Sequence, residues 1–187
     1  MMRIVGGVHK GRTIKAPDGR DTQPTSDRAR ESIFNVLAHA EWSPGIEGRR
    51  VIDLFAGSGA LGFEALSRGA AFCLFVETDE SARGAIRDNV EALQAFGNTR
   101  VHRRSATDLG LKPAGMAGPF DLVFLDPPYR KGLGTIALEK LIEGQWLSDG
   151  AIAVFECAED ESPETPGFEV LDDRTWGAAR VLFLKRA

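Results

Sequence analysis

The apolar positions of this chain fall into two alternating patterns. Short, nearly continuous apolar runs at residues 51–55, 71–76, 120–125 and 150–155 read as strands buried on both faces of a parallel sheet. Between them the apolar residues recur at helical spacing. Leu61, Phe63, Ala65 and Leu66 mark one helix, and Ala82, Ile86, Val90, Leu93 and Phe96 mark a longer one from 79 to 96, with Gly97 and Asn98 as its stop. A further helix is predicted over 133–142, and a brief strand over 100–103. Earlier in the chain, residues 3–15 hold two short β-prone pieces around a glycine turn, which predicts a hairpin. A turn over 22–27 follows, where Thr25, Ser26 or Asp27 can cap a helix with the apolar positions Ile33, Phe34, Leu37 and Ala38 on one face and which ends before Pro44. The chain closes with two strands, near 168–171 and 179–184, around Trp176 and Gly177. Residues 144–146 and 158–167 read as surface loops. Strands alternating with helices predict an α/β fold, and the closing hairpin reverses one strand of the sheet.

Composition narrows this. A chain of 187 residues with 43% hydrophobic content supports one well-buried domain, with residues 1–45 as a hairpin-and-helix extension and 46–187 as the sheet. No apolar run approaches membrane-spanning length and no signal peptide is legible, so a cytoplasmic monomer is expected. Cys73 and Cys157 lie in apolar runs and read as buried, reduced thiols, and His9, His39 and His102 have no metal-ligand spacing. The net charge of −4 conceals an asymmetry. Residues 1–30 carry seven Lys or Arg against three Asp, a balance of +4 that leaves −8 for the remainder. A basic arm on an acidic body predicts phosphate contact at one end, with a solvated polar leader as the alternative.

The chemistry concentrates where the runs end. After the strand at 51–55 come Gly57, Gly59 and Gly62, the order strand, tight turn, helix N-terminus that receives nucleotide-like ligands. The spacing fits a dinucleotide fingerprint, so a nicotinamide cofactor stays open on this ground. Asp53, inside the strand, suits a ligand with a positive charge or an amine, and S-adenosylmethionine carries both. Glu77 ends the next strand, where a carboxylate can accept ribose hydroxyls. The strand at 120–125 runs into Asp126-Pro127-Pro128-Tyr129, whose prolines stiffen the turn and remove two donors. This turn resembles the signature of amino-methyltransferases that modify exocyclic nitrogens of bases.

The resemblance extends over essentially the whole chain. Arg3-Ile4, Gly7, Gly11-Arg12, Pro24-Thr25, Asp27-Arg28, Arg30-Glu31 and Phe34-Asn35, together with residues 53–62, Glu64-Ala-Leu-Ser-Arg68 and residues 126–129, are similar to the bacterial small-subunit ribosomal RNA guanine-N2 methyltransferases. Gln23 departs from the family, which often has Arg there. The resemblance implies a Rossmann-like, S-adenosylmethionine-dependent methyltransferase sheet of seven strands with one antiparallel. It implies cofactor contacts from Asp53, Phe55, Ala56, Gly57, Ser58, Gly59, Glu77, Ser105 and Ala106. Asp126, Pro127, Pro128 and Tyr129 are then the catalytic turn, and Lys10, Arg12, Lys15, Arg28 and Arg30 the contacts to ribosomal RNA or the assembling small ribosomal subunit. A DNA or other RNA base amino-methyltransferase, a nicotinamide-dependent oxidoreductase and a catalytically silent assembly factor are the other readings.

Overall fold

A computed structural model describes residues 2–17 and 26–187. Two short strands, β1 (Met2–Arg3) and β2 (Thr13–Ile14), pair antiparallel as the expected hairpin. Helix α1 (Asp27–His39) follows, and of the three candidate caps it is Ser26 whose side chain accepts from the Ala29 N–H. The positions Pro24 and Thr25 of the family pattern, with Gln23, lie outside the described residues. Then come β3 (Arg50–Leu54), α2 (Ala60–Ser67), β4 (Phe72–Val76), α3 (Glu80–Ala92), β5 (Thr99–His102), β6 (Phe120–Leu125), α4 (Leu133–Glu143), β7 (Leu147–Ala158), β8 (Phe168–Trp176) and β9 (Ala179–Arg186).

The last seven of these strands form one sheet in the order β5-β4-β3-β6-β7-β9-β8. The pairs from β5 to β7 are parallel, while β9 runs antiparallel to both β7 and β8. This is the seven-stranded Rossmann-like arrangement with one reversed strand that the resemblance implies. The strand order turns back between β3 and β6, the switch point outside which an open α/β sheet binds ligands. Apolar residues fill both faces. Val51, Phe75, Phe124, Val154 and Phe183 pack with α1, α2 and the hairpin, and Ile52, Leu74, Val123, Phe155 and Leu184 pack with α4 on the other side. No helix among the described residues is long and apolar enough to cross a membrane.

Three local expectations change. Trp146, read as part of a surface loop, is fully buried, with its indole N–H donating to the Gly110 carbonyl at 2.9 Å. The apolar ring needs burial and the single donor needs a partner, and the turn supplies both. Phe96, read as the last member of a helical stripe, is 67% exposed. Helix α3 stops at Ala92, Gln94 adopts a positive φ of 53°, and Phe96–Asn98 forms a 3-10 turn instead. The largest difference is Arg30, expected at the RNA face, which is 1% exposed.

Arg30 turns inward because of Glu64. This glutamate of α2 is fully buried, and its two oxygens accept four hydrogen bonds. Oε1 takes the Val5 N–H at 3.0 Å and Arg30 Nε at 3.1 Å, while Oε2 takes the Gly6 N–H at 3.0 Å and Arg68 Nε at 2.9 Å. Arg30 also binds Asp27 at 2.8 Å and donates to the Arg3 carbonyl. Ser67 completes the dock, its hydroxyl accepting the His9 N–H and its carbonyl the Val8 N–H. A hairpin of two-residue strands has too little pairing to hold itself together. Here it is held by backbone N–H groups on a buried carboxylate, and Met2, Ile4 and Ile14 join the sheet core.

Replacing Glu64 with Ala leaves Arg30 buried without its main counter-charge and two backbone donors unsatisfied. Loss of one partner of a buried pair costs about 3–5 kcal/mol. Urea denaturation of Glu64→Ala is expected to show a midpoint lowered accordingly. A shift below about 1 kcal/mol would mean that the network does not hold the arm.

Candidate functional site

Parallel register puts the chemistry at one edge. Leu54 of β3 pairs with Val76 of β4 and with Leu125 of β6, and Leu125 pairs with Phe155 of β7. The residues immediately following, Phe55, Glu77, Asp126 and Glu156, therefore stand side by side at the carboxyl edge, on strands about 4.8 Å apart. At this level β3, β4 and β6 end and Phe55, Glu77 and Asp126 take over, while β7 runs on through Glu156 to Ala158.

The loop leaving β3 is bent sharply. Phe55 has a positive φ of 56°, which costs a non-glycine residue of order 1–3 kcal/mol and is held by the packing around it. Gly57 follows with φ 57°, and a Cβ there would meet nothing within 4 Å. Gly62 is the opposite case, since a Cβ there would lie 2.4 Å from the Phe75 ring and 2.6 Å from Cys73 Sγ. The third glycine thus lets α2 press onto β4, and the first leaves open space above the loop. That open shelf is where a ligand can approach the backbone closely.

Two carboxylates brace the shelf. Glu77, 8% exposed, accepts the Gly57 N–H at 2.8 Å and the Asp79 N–H at 2.9 Å. Each oxygen keeps lone-pair capacity for a further donor, which fits a ribose. Asp53, 2% exposed, accepts the Gly62 N–H at 3.1 Å in the first turn of α2. Burial pushes its carboxyl well above the usual range, the Gly62 N–H pulls it down, and the Glu77 charge raises it further. On the next strand over, Ser105 lies in a turn, its hydroxyl 2.8 Å from that of Thr107 and accepting the Thr107 N–H at 3.2 Å. Ala106 beside it is buried. Asp108 donates its N–H to the Ser105 carbonyl and completes that turn.

The turn after β6 holds Asp126, with Pro127 buried and Pro128 and Tyr129 exposed. Pro127, Pro128 and Tyr129 line a small cleft with Gly132, Phe155, Glu156 and Glu161. Burial raises the Tyr129 hydroxyl above the ordinary phenol range, and Glu156 and then Asp126 add to the rise. Arg130, next in the chain, takes a positive φ of 62°. Its N–H donates to Glu161 at 2.7 Å, and the same oxygen accepts the Ala158 N–H at 3.1 Å, tying the turn to the end of β7. Neither cysteine is poised as a nucleophile. Both are buried thiols, Cys73 raised by burial and by Asp53, and Cys157 pushed by burial up to about 11.

Of the basic candidates, Lys10, Arg12, Lys15 and Arg28 are exposed, while Arg30 is withdrawn into the Glu64 network and is not available to phosphate. Arg12 donates to the Ala92 carbonyl at 2.6 Å and Lys15 pairs with Asp88 at 2.7 Å, so both lie along α3. Asn89, which the sequence reading passed over, links this arm to the glycine loop. Its amide donates to the carbonyls of Lys15 and Ser58, each at 3.1 Å, and its oxygen accepts the Lys15 N–H at 2.8 Å. An amide within the Ala82, Ile86, Val90 stripe was the available signal, since a polar group on an apolar face must find partners.

For a carboxyl group whose value is raised by folding, the native state binds the proton more tightly than the unfolded chain. The contribution of Asp53 is therefore full below the unfolded value of about 3.9 and is lost as pH rises through its raised native value. Asp53→Asn keeps an acceptor for Gly62 and removes the titration. Urea midpoints of wild type and variant, compared from pH 4 to 8, should diverge in favour of the variant as pH rises. Parallel curves would show that Asp53 is not perturbed.

Comparison with known proteins gives a consistent result. The family model described as Conserved hypothetical protein 95 matches residues 2–185. Ribosomal RNA small subunit methyltransferase D of Escherichia coli (strain K12) is 39% identical over 166 residues, covering 88% of this chain and 79% of its own length. The enzyme of the same name from Haemophilus influenzae is 34% identical over 178 residues, covering 94% and 89%. Among solved structures, YhhF from Escherichia coli has a TM-score of 0.82 at 35% identity, covering 99% of this chain and 97% of that one.

Proposed function

This chain belongs to the Conserved hypothetical protein 95 family, and from that premise we propose that it transfers a methyl group from S-adenosylmethionine to the exocyclic N2 of a specific guanine in small-subunit ribosomal RNA. The observation that carries this reading is the shared edge. The glycine shelf leaves β3, with Glu77 on β4 to one side of it and the Asp126–Tyr129 turn on β6 to the other, all at one level. The rRNA methyltransferases among its relatives supply the substrate class.

S-adenosylmethionine, when bound, supplies an electrophilic methyl on a sulfonium centre. The residues that fit it are those of the shelf: the Gly57–Gly59 backbone, Glu77 for the ribose hydroxyls, and the Ser105–Ala106 turn for the adenine. Asp53 fixes the first turn of α2 beneath them. The guanine amine is a weak nucleophile because its lone pair is delocalised into the ring. The Asp126 carboxylate and the Pro127 carbonyl accept its two N–H bonds, which localises the lone pair and directs it toward the donor. The two prolines hold those acceptors in place, and Tyr129 offers a ring face on which an extruded base can stack, a contact worth roughly 1–3 kcal/mol. Positioning supplies most of the acceleration, and no covalent nucleophile is needed.

The direct test is to map methylated guanines in small-subunit ribosomal RNA from cells with and without this protein. One N2-methylguanine should be lost in its absence; an unchanged map overturns the reading. The division of labour between the two halves of the site is also testable. Asp126→Ala should abolish transfer with cofactor affinity nearly intact, whereas Glu77→Ala should weaken cofactor binding by about 1–3 kcal/mol. Calorimetry separates them, and collapse of cofactor affinity in Asp126→Ala would remove Asp126 from the base side.

The exposed cations of the arm are the proposed phosphate contacts. Removing Lys10, Arg12, Lys15 or Arg28 should weaken RNA binding irrespective of sequence. Each lost contact should flatten the slope of log affinity against log salt by roughly 0.7–0.9. Equal slopes for wild type and the fourfold variant would place the RNA face elsewhere.

A further inference from the structure

Trp176 and Asn35 belong to neither the cofactor shelf, the catalytic turn nor the Glu64 network, yet the fold brings them together. With Ser32, Val36, His39 and Arg174 they line an open cleft of about 430 Å³ between α1 and β8. That volume falls within the range of small-molecule sites. The floor is apolar, from the buried Val36 and the half-buried Trp176. Trp176 meets Phe183 at an interplanar angle of 88°, so this contact takes at most one face of the indole. The rim is polar. Ser32, Asn35 and His39 follow one another along the flank of α1, and Arg28 stands one turn earlier on the same side. Ser32 donates its hydroxyl to the Arg28 carbonyl at 3.0 Å, and the Asn35 amide and His39 ring are exposed. Across the cleft, Arg174 is held by Asp172, which accepts from Nε at 3.1 Å and leaves the outer nitrogens of the guanidinium for another acceptor. No carboxylate is among the residues that line the cleft.

Register ties this cleft to the catalytic edge. Leu125 pairs with Phe155, Phe155 with Leu182 and Leu182 with Asp173, so Arg174 stands one residue past that level, as Asp126 does. The two are three strands apart, about 14 Å at ordinary strand spacing. Helix α1 packs on the face of the sheet that also carries the hairpin, with Phe34 against Phe124. Lys15 and Arg12 lie along α3, on the β5 side of that face, and the cleft lies at its β8 end, with the catalytic turn of β6 between them. A ring face, an amide that both donates and accepts, and a guanidinium are the groups with which proteins hold unpaired nucleotides. Resting on the RNA reading above, we propose that this cleft is a second RNA site, which holds an unpaired nucleotide flanking the target on the same strand. Its base lies against Trp176 and Val36, the Asn35 amide bonds the base edge, and its phosphate sits on Arg174. An RNA gripped only by the arm could pivot about that side of the sheet. A second grip at β8 fixes the strand on both sides of the turn that receives the target base.

The experiment titrates the full-length protein with protein-free small-subunit ribosomal RNA while tryptophan emission is followed. Trp146 is fully buried and Trp42 half-buried, so a nucleotide stacked on Trp176 should quench the wild type and leave the emission of Trp176→Phe largely unchanged. Trp176→Ala should weaken RNA binding at least about fivefold, and Trp176→Phe, which keeps a ring, should retain most of the affinity. Arg174→Gln should weaken binding and flatten the slope of log affinity against log salt by about 0.7, the value for one contact to a single strand. Affinity for S-adenosylmethionine should be unchanged in all three. Equal quenching in wild type and Trp176→Phe overturns the site, as does unaltered RNA affinity in both Trp176→Ala and Arg174→Gln. If Trp176→Ala does not fold, Trp176→Phe and Arg174→Gln decide by the same two readouts. Variants that match wild type on free RNA but lose affinity for the assembled small subunit also overturn it, and assign the cleft to a protein of that particle. A wild type that binds no RNA refutes the underlying reading instead, before any variant is compared.

Discussion

Everything at the N-terminal side of this molecule depends on one buried carboxylate. Glu64 has no exposed surface, and its oxygens are fully used by two backbone amides of the arm and two arginines, one from α1 and one that caps the C-terminus of its own helix. A carboxylate in that position would be prohibitive without these partners, and each partner would be costly without it. The consequence is mutual fixation. The hairpin cannot leave α2 without exposing Glu64 to an unsatisfied interior, and α1 cannot shift without stranding Arg30. A hairpin too small to fold by itself thereby becomes a rigid part of the sheet domain, and an arm rich in basic residues is held in one orientation.

The same network explains what the residues reveal when read in order and what they conceal. The sheet was largely legible, because strands buried on both faces are continuous apolar runs and their ends are marked by glycine, proline or acid. Asp53, Glu77 and Asp126 could be placed for that reason: each is the polar interruption of a hydrophobic run. Arg30 could not. From sequence it is one more cation in a basic segment, and only the tertiary partner Glu64, 34 residues away, turns it inward. Trp146 was concealed by its neighbours, since Gly144 and Gln145 advertise a loop while the indole packs beneath it. Glu156 was concealed by its surroundings in β7, where a single acid in an apolar strand gives no hint of which residue of β6 it adjoins. Register supplies that information, and register is a property of the sheet.

The glycine loop and the arm are not independent bodies. Asn89 joins Lys15 to Ser58, so the chain just after β2 and the glycine loop share one side-chain amide. Met2 adds a second, weaker link through its sulfur to the Ser58 hydroxyl at 3.9 Å. The charge segregation along the chain, basic in its first thirty residues and acidic beyond, acquires a spatial meaning from these links.

Parallel pairing accounts for the accuracy with which the edge is assembled. Four strands contribute Phe55, Glu77, Asp126 and Glu156 from positions immediately after paired residues, so their relative heights are set by hydrogen-bond ladders rather than by loops. A slip of one residue between β6 and β7 would invert every side chain of one strand. It would carry Phe155 out of its layer. The apolar packing of Leu125 and Phe155 against α4, and of Phe124 and Val154 against α1, forbids that slip. The hydrophobic core thus does more than stabilise the fold: by fixing register it sets the level at which each strand hands over to its loop at the carboxyl edge.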